Sequence, residues 1–217
     1  MRRIGKGVYS FSEAARLTKT KPSTLRTWFR RDDKRPALRG DYEPVEGRLA
    51  LSFLDLIDAN AVVSLRQLGL SMQQVRLLYA ELERMLQTRH PFANRALWHD
   101  DGNKIWLKAT SLTGDEHCIE VLKRQHGFPE IVRPFLKKVR FAGDTGLVSQ
   151  WDIEKGVVIN PSFAFGKPCT EVSRRPTRVL AAAFHANEGD AHVVAHAYGV
   201  TPDEVHDAVT FERGLAA

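Results

Sequence analysis

The chain has 217 residues, 43% of them hydrophobic and 27% charged, with a formal net charge of +6 and a pI near 9.5. That is enough apolar mass for packed cores, and no apolar run approaches the ~20 residues of a membrane span. The basic start Met1-Arg2-Arg3-Ile4-Gly5-Lys6 has no apolar stretch after it, which argues against a secretory signal.

Two cysteines, Cys118 and Cys169, fit a reducing cytoplasm better than a disulfide scaffold. The positive excess is concentrated. Residues 1–40 hold 12 Lys+Arg against 3 Asp+Glu, giving +9, whereas the remaining residues hold 20 against 23, giving −3. A basic segment of this kind is attracted to a polyanion with condensed counterions.

Ser10-Phe11-Ser12-Glu13 spells a capping box, and it predicts a short helix to about Leu17 with Ala14, Ala15 and Leu17 inward. Pro22 suits the first position of a second helix. In that helix Leu25, Trp28 and Phe29 recur at i, i+3 and i+4 and define one buried face. Lys21, Ser23, Thr24, Arg26, Thr27 and Arg30 fall outside it, where hydroxyls and cations bond phosphates and base edges. Arg31, Lys34, Arg35, Arg39 and Arg48 crowd the next stretch together with Tyr42. Pro36, Gly40, Pro44 and Gly47 there predict a hairpin or wing rather than a helix.

Ser52 opens the next helix, with Leu54, Ile57, Ala61, Leu65 and Leu68 at helical spacing and Gly69 as its stop. Ser71-Met72-Gln73-Gln74 is another capping box. It starts a helix whose stripe is Val75, Leu78, Leu82 and Met85, limited by Pro91.

Tyr9, Thr24-Leu25-Arg26 and Leu65-Arg66-Gln67-Leu68-Gly69-Leu70-Ser71 occur in the order and spacing of the MerR-type winged helix-turn-helix, which residues 9–80 resemble. The resemblance implies a DNA-binding domain in which Arg26 and the wing arginines contact the duplex. Two features depart from that family's regulators. Pro91 arrives before a long dimerisation helix can form, and no cysteine cluster follows.

Residues 91–156 read as a small β-containing connector. Lys104-Ile105-Trp106-Leu107-Lys108 alternates polar and apolar and predicts a half-buried strand after the turn Asp101-Gly102-Asn103. His117 to Leu122 is a second candidate strand, and Ile131 to Leu136 is ambiguous because of Pro134. Val139-Arg140-Phe141 and Leu147 to Trp151 predict strands around Gly143-Asp144-Thr145-Gly146. Asp100, Asp101, Asp115 and Glu116 fit turns and surface, and no metal or other cofactor is expected.

Val157-Val158-Ile159 predicts a short strand. Pro176 predicts a helix to about Glu188 closed by Gly189. Asp190 caps a second helix that ends at Gly199. Thr201-Pro202-Asp203-Glu204 starts a third, through Val205, Ala208 and Val209. Three short helices with these breaks suggest a helix-turn-helix-like bundle.

Ile159-Asn160-Pro161, Gly166-Lys167-Pro168, Arg174, Pro176 and the helices to Phe211 resemble a domain-of-unknown-function family, number four-thirty-three, found in bacterial antitoxins. Val172 stands where that family usually has glycine and Ser173 where it has threonine. A β-branched residue resists a positive φ, so this loop is expected to take another path. Joined to the MerR-like reader, the domain resembles the VapB-type antitoxin half of toxin–antitoxin pairs. The resemblance implies a PIN-domain or PIN-like ribonuclease as partner, autorepression of the operon through operator DNA, and a homodimer or a hetero-oligomer with the toxin. A PIN nuclease's metal-holding carboxylates make its mouth negative, which assigns Lys167, Arg174, Arg175 and Arg178 as toxin-binding candidates.

The expected architecture is therefore mainly α with small β elements (α+β). It divides into a DNA-binding domain over 1–90, a connector over 91–156 and a helical antitoxin-type domain over 157–217. A MerR-like regulator responding to a small molecule is the alternative. An enzyme is not expected. His192 and His196 have the i, i+4 spacing of zinc ligands, but the run His-Val-Val-Ala-His lacks the glutamate of a zinc protease. Ser149, Cys118 and Cys169 lack a nucleophile motif, and there is no phosphate-cradling glycine loop.

Overall fold

The computed structural model describes residues 6–29, 37–46, 48–98, 102–116 and 138–216. The fold is α+β. Among the described residues there are eight α-helices and four short strands, the strands in the order β1-β2-β3-β4. The helices are α1 Phe11–Leu17, α2 Pro22–Trp28, α3 Phe53–Gln67, α4 Met72–Leu86, α5 Gly102–Leu112, α6 Thr177–Ala186, α7 Ala191–Tyr198 and α8 Pro202–Ala216. The strands are β1 Val139–Phe141, β2 Val148–Glu154, β3 Val157–Ile159 and β4 Cys169–Thr170. The chain divides into two compact units, one over Tyr9–Val148 and one over Ser149–Ala217 with the first few residues.

In the N-terminal unit, sequence chemistry sets each helix start. The Ser10 side chain accepts the Glu13 amide at 3.2 Å while the Glu13 carboxylate accepts the Ser10 amide at 2.9 Å. Ser52 with Asp55 and Ser71 with Gln74 repeat the reciprocal pattern. Each pair satisfies two amides that a helix start leaves orphaned. Pro22 occupies the first turn of α2, where a missing N–H costs nothing. Gly69, at φ 92°, supplies the left-handed step after α3. The helices bury Leu25, Trp28, Leu56, Ile57, Leu65, Leu78 and Leu82 in one core with Tyr9, Leu38 and Leu51. Tyr9 and Leu51 form an antiparallel bridge that closes the base of this core.

The strand expected at Lys104–Lys108 is corrected to a helix. These residues lie inside α5, and Gly102-Asn103 begins it rather than forming a turn. Alternation over five residues fits either period. The decision falls to packing, which buries Trp106 with Ala109 and Thr110 at i, i+3 and i+4 and leaves Leu107 exposed. Trp106 stacks on Phe92 at 5.8 Å and lies 6.0 Å from Trp98, while Phe92 meets Tyr79 edge-on at 5.5 Å. An aromatic stack of this size outweighs local strand preference. The strands expected at Val139–Phe141 and near Leu147–Trp151 are present, whereas His117 to Leu122 and Ile131 to Leu136 lie outside the described residues.

The C-terminal unit is a small antiparallel sheet carrying three helices. β2 pairs β3 with Trp151 opposite Ile159, and β3 pairs β4 with Val158 opposite Cys169. Leu180, Ala181, Val194, Ala195, Val205, Ala208 and Val209 form the helical core. Pro176 proves to be the residue before α6 rather than its first turn, and α6 stops at Ala186. Asp190 accepts the His192 amide at 2.8 Å to start α7, and Gly199 ends it at φ 63°.

Glu204 joins sheet turn to helix. One carboxylate oxygen accepts the Thr201 amide at 3.1 Å and the other accepts the Ser173 amide at 2.9 Å. Burial opposes its ionisation, but the hydrogen bonds from Ser173 and Thr201 outweigh burial and hold the carboxyl below its usual range.

The β2–β3 turn depends on Gly156, at φ +67° with Asp207 Oδ2 only 2.2 Å from the place of a Cβ. Gly156→Ala is therefore expected to destabilise the C-terminal unit by about 1–3 kcal/mol, from left-handed strain plus overpacking. Thermal unfolding of the purified variant checks this, and a melting point equal to the parent's would contradict it.

Candidate functional site

The candidate nucleic-acid surface is built on α2 and the loop after it. With Leu25 and Trp28 committed to the core, Lys21, Ser23, Arg26 and Thr27 are exposed and Thr24 is half-buried. The Arg26 guanidinium lies over the Phe11 ring at 5.6 Å from its centre, and Phe11 in turn packs on Phe29 at 6.3 Å. Arg26 is thus positioned by the α1–α2 pair while staying exposed. The Thr27 hydroxyl donates to the Ser23 carbonyl at 3.1 Å.

Arg30, Arg31, Lys34 and Arg35 lie outside the described residues. Arg39 is 62% exposed and sits 3.8 Å from Glu83. Arg48 is exposed and pairs its backbone with Val45 in a tight hairpin, both hydrogen bonds being 2.9 Å. Tyr42 differs from the others, since its ring is buried in the unit's core.

Behind this surface lies a cluster that sequence reading did not single out. Asp55 and Asp58 on α3, Tyr79 on α4, Asp41 in the loop and His90 after α4 converge on one buried point. His90 Nδ1 is 2.9 Å from Asp58 Oδ2, and His90 Nε2 is 3.1 Å from Asp41 Oδ1. Asp55 Oδ1 is 3.9 Å from His90 Nδ1. Each ring nitrogen faces a carboxylate oxygen, an arrangement that favours a proton on both nitrogens and hence an imidazolium ring. Burial alone would depress its basicity, but the bonds to Asp41 and Asp58 and the charges of Asp58 and Asp55 raise the pKa to about 10.

Burial lifts the Asp55 carboxyl to about 6, against the pull of His90 and the Ser52 amide. Burial lifts Asp58 too, with His90 opposing. The Tyr79 hydroxyl is held protonated by burial and the neighbouring Asp58. It lies 3.2 Å from Asp58 Oδ2 and also against the Arg89 carbonyl.

The cluster positions backbone as well as charge. Asp55 Oδ2 accepts the Asp41 amide at 3.1 Å and the Ser52 amide at 2.8 Å, and the Arg89 guanidinium donates to the Gly40 carbonyl at 3.4 Å. The loop bearing Arg39 is thereby clipped to the start of α3 and to the chain after α4. Asp41, Asp55 and His90 also offer donor atoms within 4.8 Å of one another, a spacing that a metal could use. The imidazolium protons already stand between these carboxylates. The sequence signal was available: Asp55 and Asp58 stand three residues apart among the apolar residues of α3, off the Asn60-Ser64-Gln67 polar face.

The second candidate surface lies in the C-terminal unit. Arg174, Arg175 and Arg178 are exposed. Lys167 donates to the Val8 carbonyl at 3.1 Å. Arg174 adopts φ 56° and its guanidinium lies over the Phe163 ring at 5.1 Å. The left-handed step of this loop therefore falls at Arg174 and not at Val172, as a β-branched side chain requires.

His192 and His196 are both exposed on α7, and no third metal-capable side chain joins them among the described residues. Burial pushes the Cys169 thiol up to about 11, which leaves it a weak nucleophile at neutral pH. Among the described residues no helix is long and apolar enough to cross a membrane.

A curated protein named "Putative antitoxin VapB45", from Mycobacterium tuberculosis (strain ATCC 25618 / H37Rv), is similar to this chain. It is 26% identical over 226 residues, spanning 93% of this chain and 92% of that protein. The X-ray crystal structure of Rv2018 from Mycobacterium tuberculosis is similar in fold, with a TM-score of 0.75 and 26% identity across 93% of this chain and 96% of that one. No protein-family model matches the chain. Both similarities run nearly end to end, so they include the N-terminal helices and the C-terminal bundle alike.

The buried cluster has a pH signature. His90 and Asp55 both have raised pKa values, so the folded unit holds protons that the unfolded chain releases. The Asp55 contribution is present below about pH 3.8 and is lost by about pH 6. The His90 contribution is present below about pH 6.5 and is lost as pH rises through about 10. Between pH 7 and 9.5 the unfolding free energy of the N-terminal unit is expected to fall by roughly 1.4 kcal/mol per pH unit. His90→Gln should flatten that slope. Urea unfolding followed by tryptophan fluorescence measures it, and a parent protein with pH-independent stability over this range would refute the imidazolium assignment.

Proposed function

We propose that this chain is the antitoxin of a VapBC-like toxin–antitoxin pair. In this reading it neutralises a PIN-domain or PIN-like ribonuclease and represses its own operon by binding operator DNA. The observation that carries the proposal is the near full-length similarity to a protein named as a VapB antitoxin. The antitoxin acts without catalysis of its own, in the cytoplasm.

The N-terminal unit is the DNA reader on this reading, with Lys21, Ser23, Thr24, Arg26, Thr27, Arg30, Arg31, Lys34, Arg35, Arg39 and Arg48 on the duplex side. Support comes from charge and rigidity together. The segment holding most of these residues has a net charge of +9, and its exposed polar side chains stand on a helix whose other face is fixed in a core. Phosphate contacts from such residues set affinity, and hydroxyls and guanidinium groups read base edges. The C-terminal unit grips the toxin, with Lys167, Arg174, Arg175 and Arg178 toward it. Toxin bound to antitoxin subunits would bridge them and raise the avidity of the complex for DNA.

Co-expression with the product of the adjacent reading frame tests the pairing. The expected result is a co-purifying complex and rescue of growth from that product's toxicity. Failure of both would overturn the antitoxin reading.

For the DNA half, operator affinity measured by fluorescence anisotropy is expected to fall about a thousandfold between 50 and 200 mM salt if roughly six phosphates are neutralised. Arg26→Ala should weaken binding without changing the melting point. Trp28→Ala should instead cost about 3–5 kcal/mol of stability, because it empties a buried aromatic site. A salt-independent affinity, or an Arg26→Ala protein that binds like the parent, counts against this surface.

A further inference from the structure

The chain from Phe163 to Lys167 takes an unusual course. Ala164, Phe165 and Gly166 have φ values of 46°, 54° and 77°, so three consecutive residues are left-handed. Only the last is glycine. For an L-residue this conformation costs roughly 1–2 kcal/mol, and runs of it are rare. The strain earns no internal packing, since the Phe165 side chain is 80% exposed.

The segment is nevertheless well held. The Gly166 amide donates to the Phe163 carbonyl at 3.0 Å and the Lys167 amide to the Ala164 carbonyl at 2.9 Å. Asn160 braces its start, accepting the Ser162 amide on its side chain at 2.9 Å. Arg174 stacks over Phe163 from the turn that follows β4, and that turn exposes Val172 to 81%. Backbone strain that presents a large apolar side chain to solvent on a rigid mount points to binding.

We propose that Phe165 is the anchor of a protein-docking surface to which the exposed Val172 and the basic Arg174, Arg175 and Arg178 also belong. The occupant is an apolar socket with an acidic rim on the toxin. The argument for that chemistry is complementarity. Residues 163–178 carry Lys167, Arg174, Arg175 and Arg178 against Glu171 alone, a net +3, around two of the most exposed large apolar side chains described. An exposed aromatic anchor accompanied by cations has the composition of a binding hot spot, in which the anchor governs dissociation and the rim governs encounter. The inference rests on the antitoxin reading and deepens it by naming the residue that enters the partner.

The test uses the 217-residue chain and the product of the adjacent reading frame as the candidate nuclease, with affinity and dissociation rate measured by surface plasmon resonance. Phe165→Asn is the informative variant, because asparagine tolerates the left-handed region and removes the ring. Its melting point should equal or exceed the parent's while the complex weakens about a hundredfold, mainly through faster dissociation. Replacing both Arg175 and Arg178 by Ala should slow association several-fold at 50 mM salt and much less at 500 mM.

Phe165→Asn binding within about twofold of the parent overturns the anchor while leaving the antitoxin reading intact. A parent chain that does not bind the nuclease overturns both. If sedimentation shows that Phe165→Asn dissociates a homodimer and leaves nuclease affinity unchanged, the socket belongs to a second copy of this chain and the toxin proposal is wrong.

Discussion

The N-terminal unit depends on one buried cation. His90 comes after α4, where nothing in local sequence ties it to α3 or to the loop before it. Its two ring protons nonetheless join Asp58 on α3 to Asp41 in the loop, with Asp55 close by. Three carboxylates so near one another would repel and would leave an apolar core badly solvated. The imidazolium makes their gathering tolerable. What results is geometric: the segment 38–42, the start of α3 and the end of α4 are held at one point. The exposed cations of α2 and the loop therefore stand on a framework fixed by charge as well as by packing. Removing a single partner leaves the others buried and uncompensated, which is why such clusters define one arrangement even when they add little net stability.

The C-terminal unit solves the same problem differently. Its core is made of alanine, valine and leucine from three short helices, and small side chains let the helices approach closely. A single buried acid, Glu204, serves as both helix cap and staple to the turn at Ser173. Strain is admitted on the surface next to this rigid body, at Ala164-Phe165 and at Arg174. Left-handed non-glycine residues persist only where their surroundings over-determine them. Here the sheet turn, the Asn160 brace and the Arg174–Phe163 stack provide that determination.

The two units thus offer different recognition chemistry. One presents a helix rich in hydroxyls and cations, which on the proposed reading faces the phosphates and edges of a duplex. The other presents an exposed ring and exposed arginines, which on the proposed reading meet a shaped protein pocket. The similarity to the protein named "Putative antitoxin VapB45" spans both units.

Helix starts and stops are written in the local sequence. Ser10, Ser52, Ser71, Asp190 and Thr201 act within one turn, as do Gly69 and Gly199, and the hydrogen bonds of a cap are local. It also determined the apolar stripes of α3 and α4, the short strands near Val139 and Val157, and the crowding of positive charge at the amino end. Contacts between remote segments set what depends on distant partners. Residues 104–108 read as a strand until the Phe92–Trp106 stack gave a helix its buried face. Asp55 and His90 are 35 positions apart, and no local periodicity encodes their meeting. Tyr42 stood among arginines in the sequence and yet is buried, because the folding of its loop onto α3 faces it inward. Caps and stripes are short-range physics, whereas a charge cluster, an aromatic stack and a strained exposed ring exist only once remote segments have closed on one another.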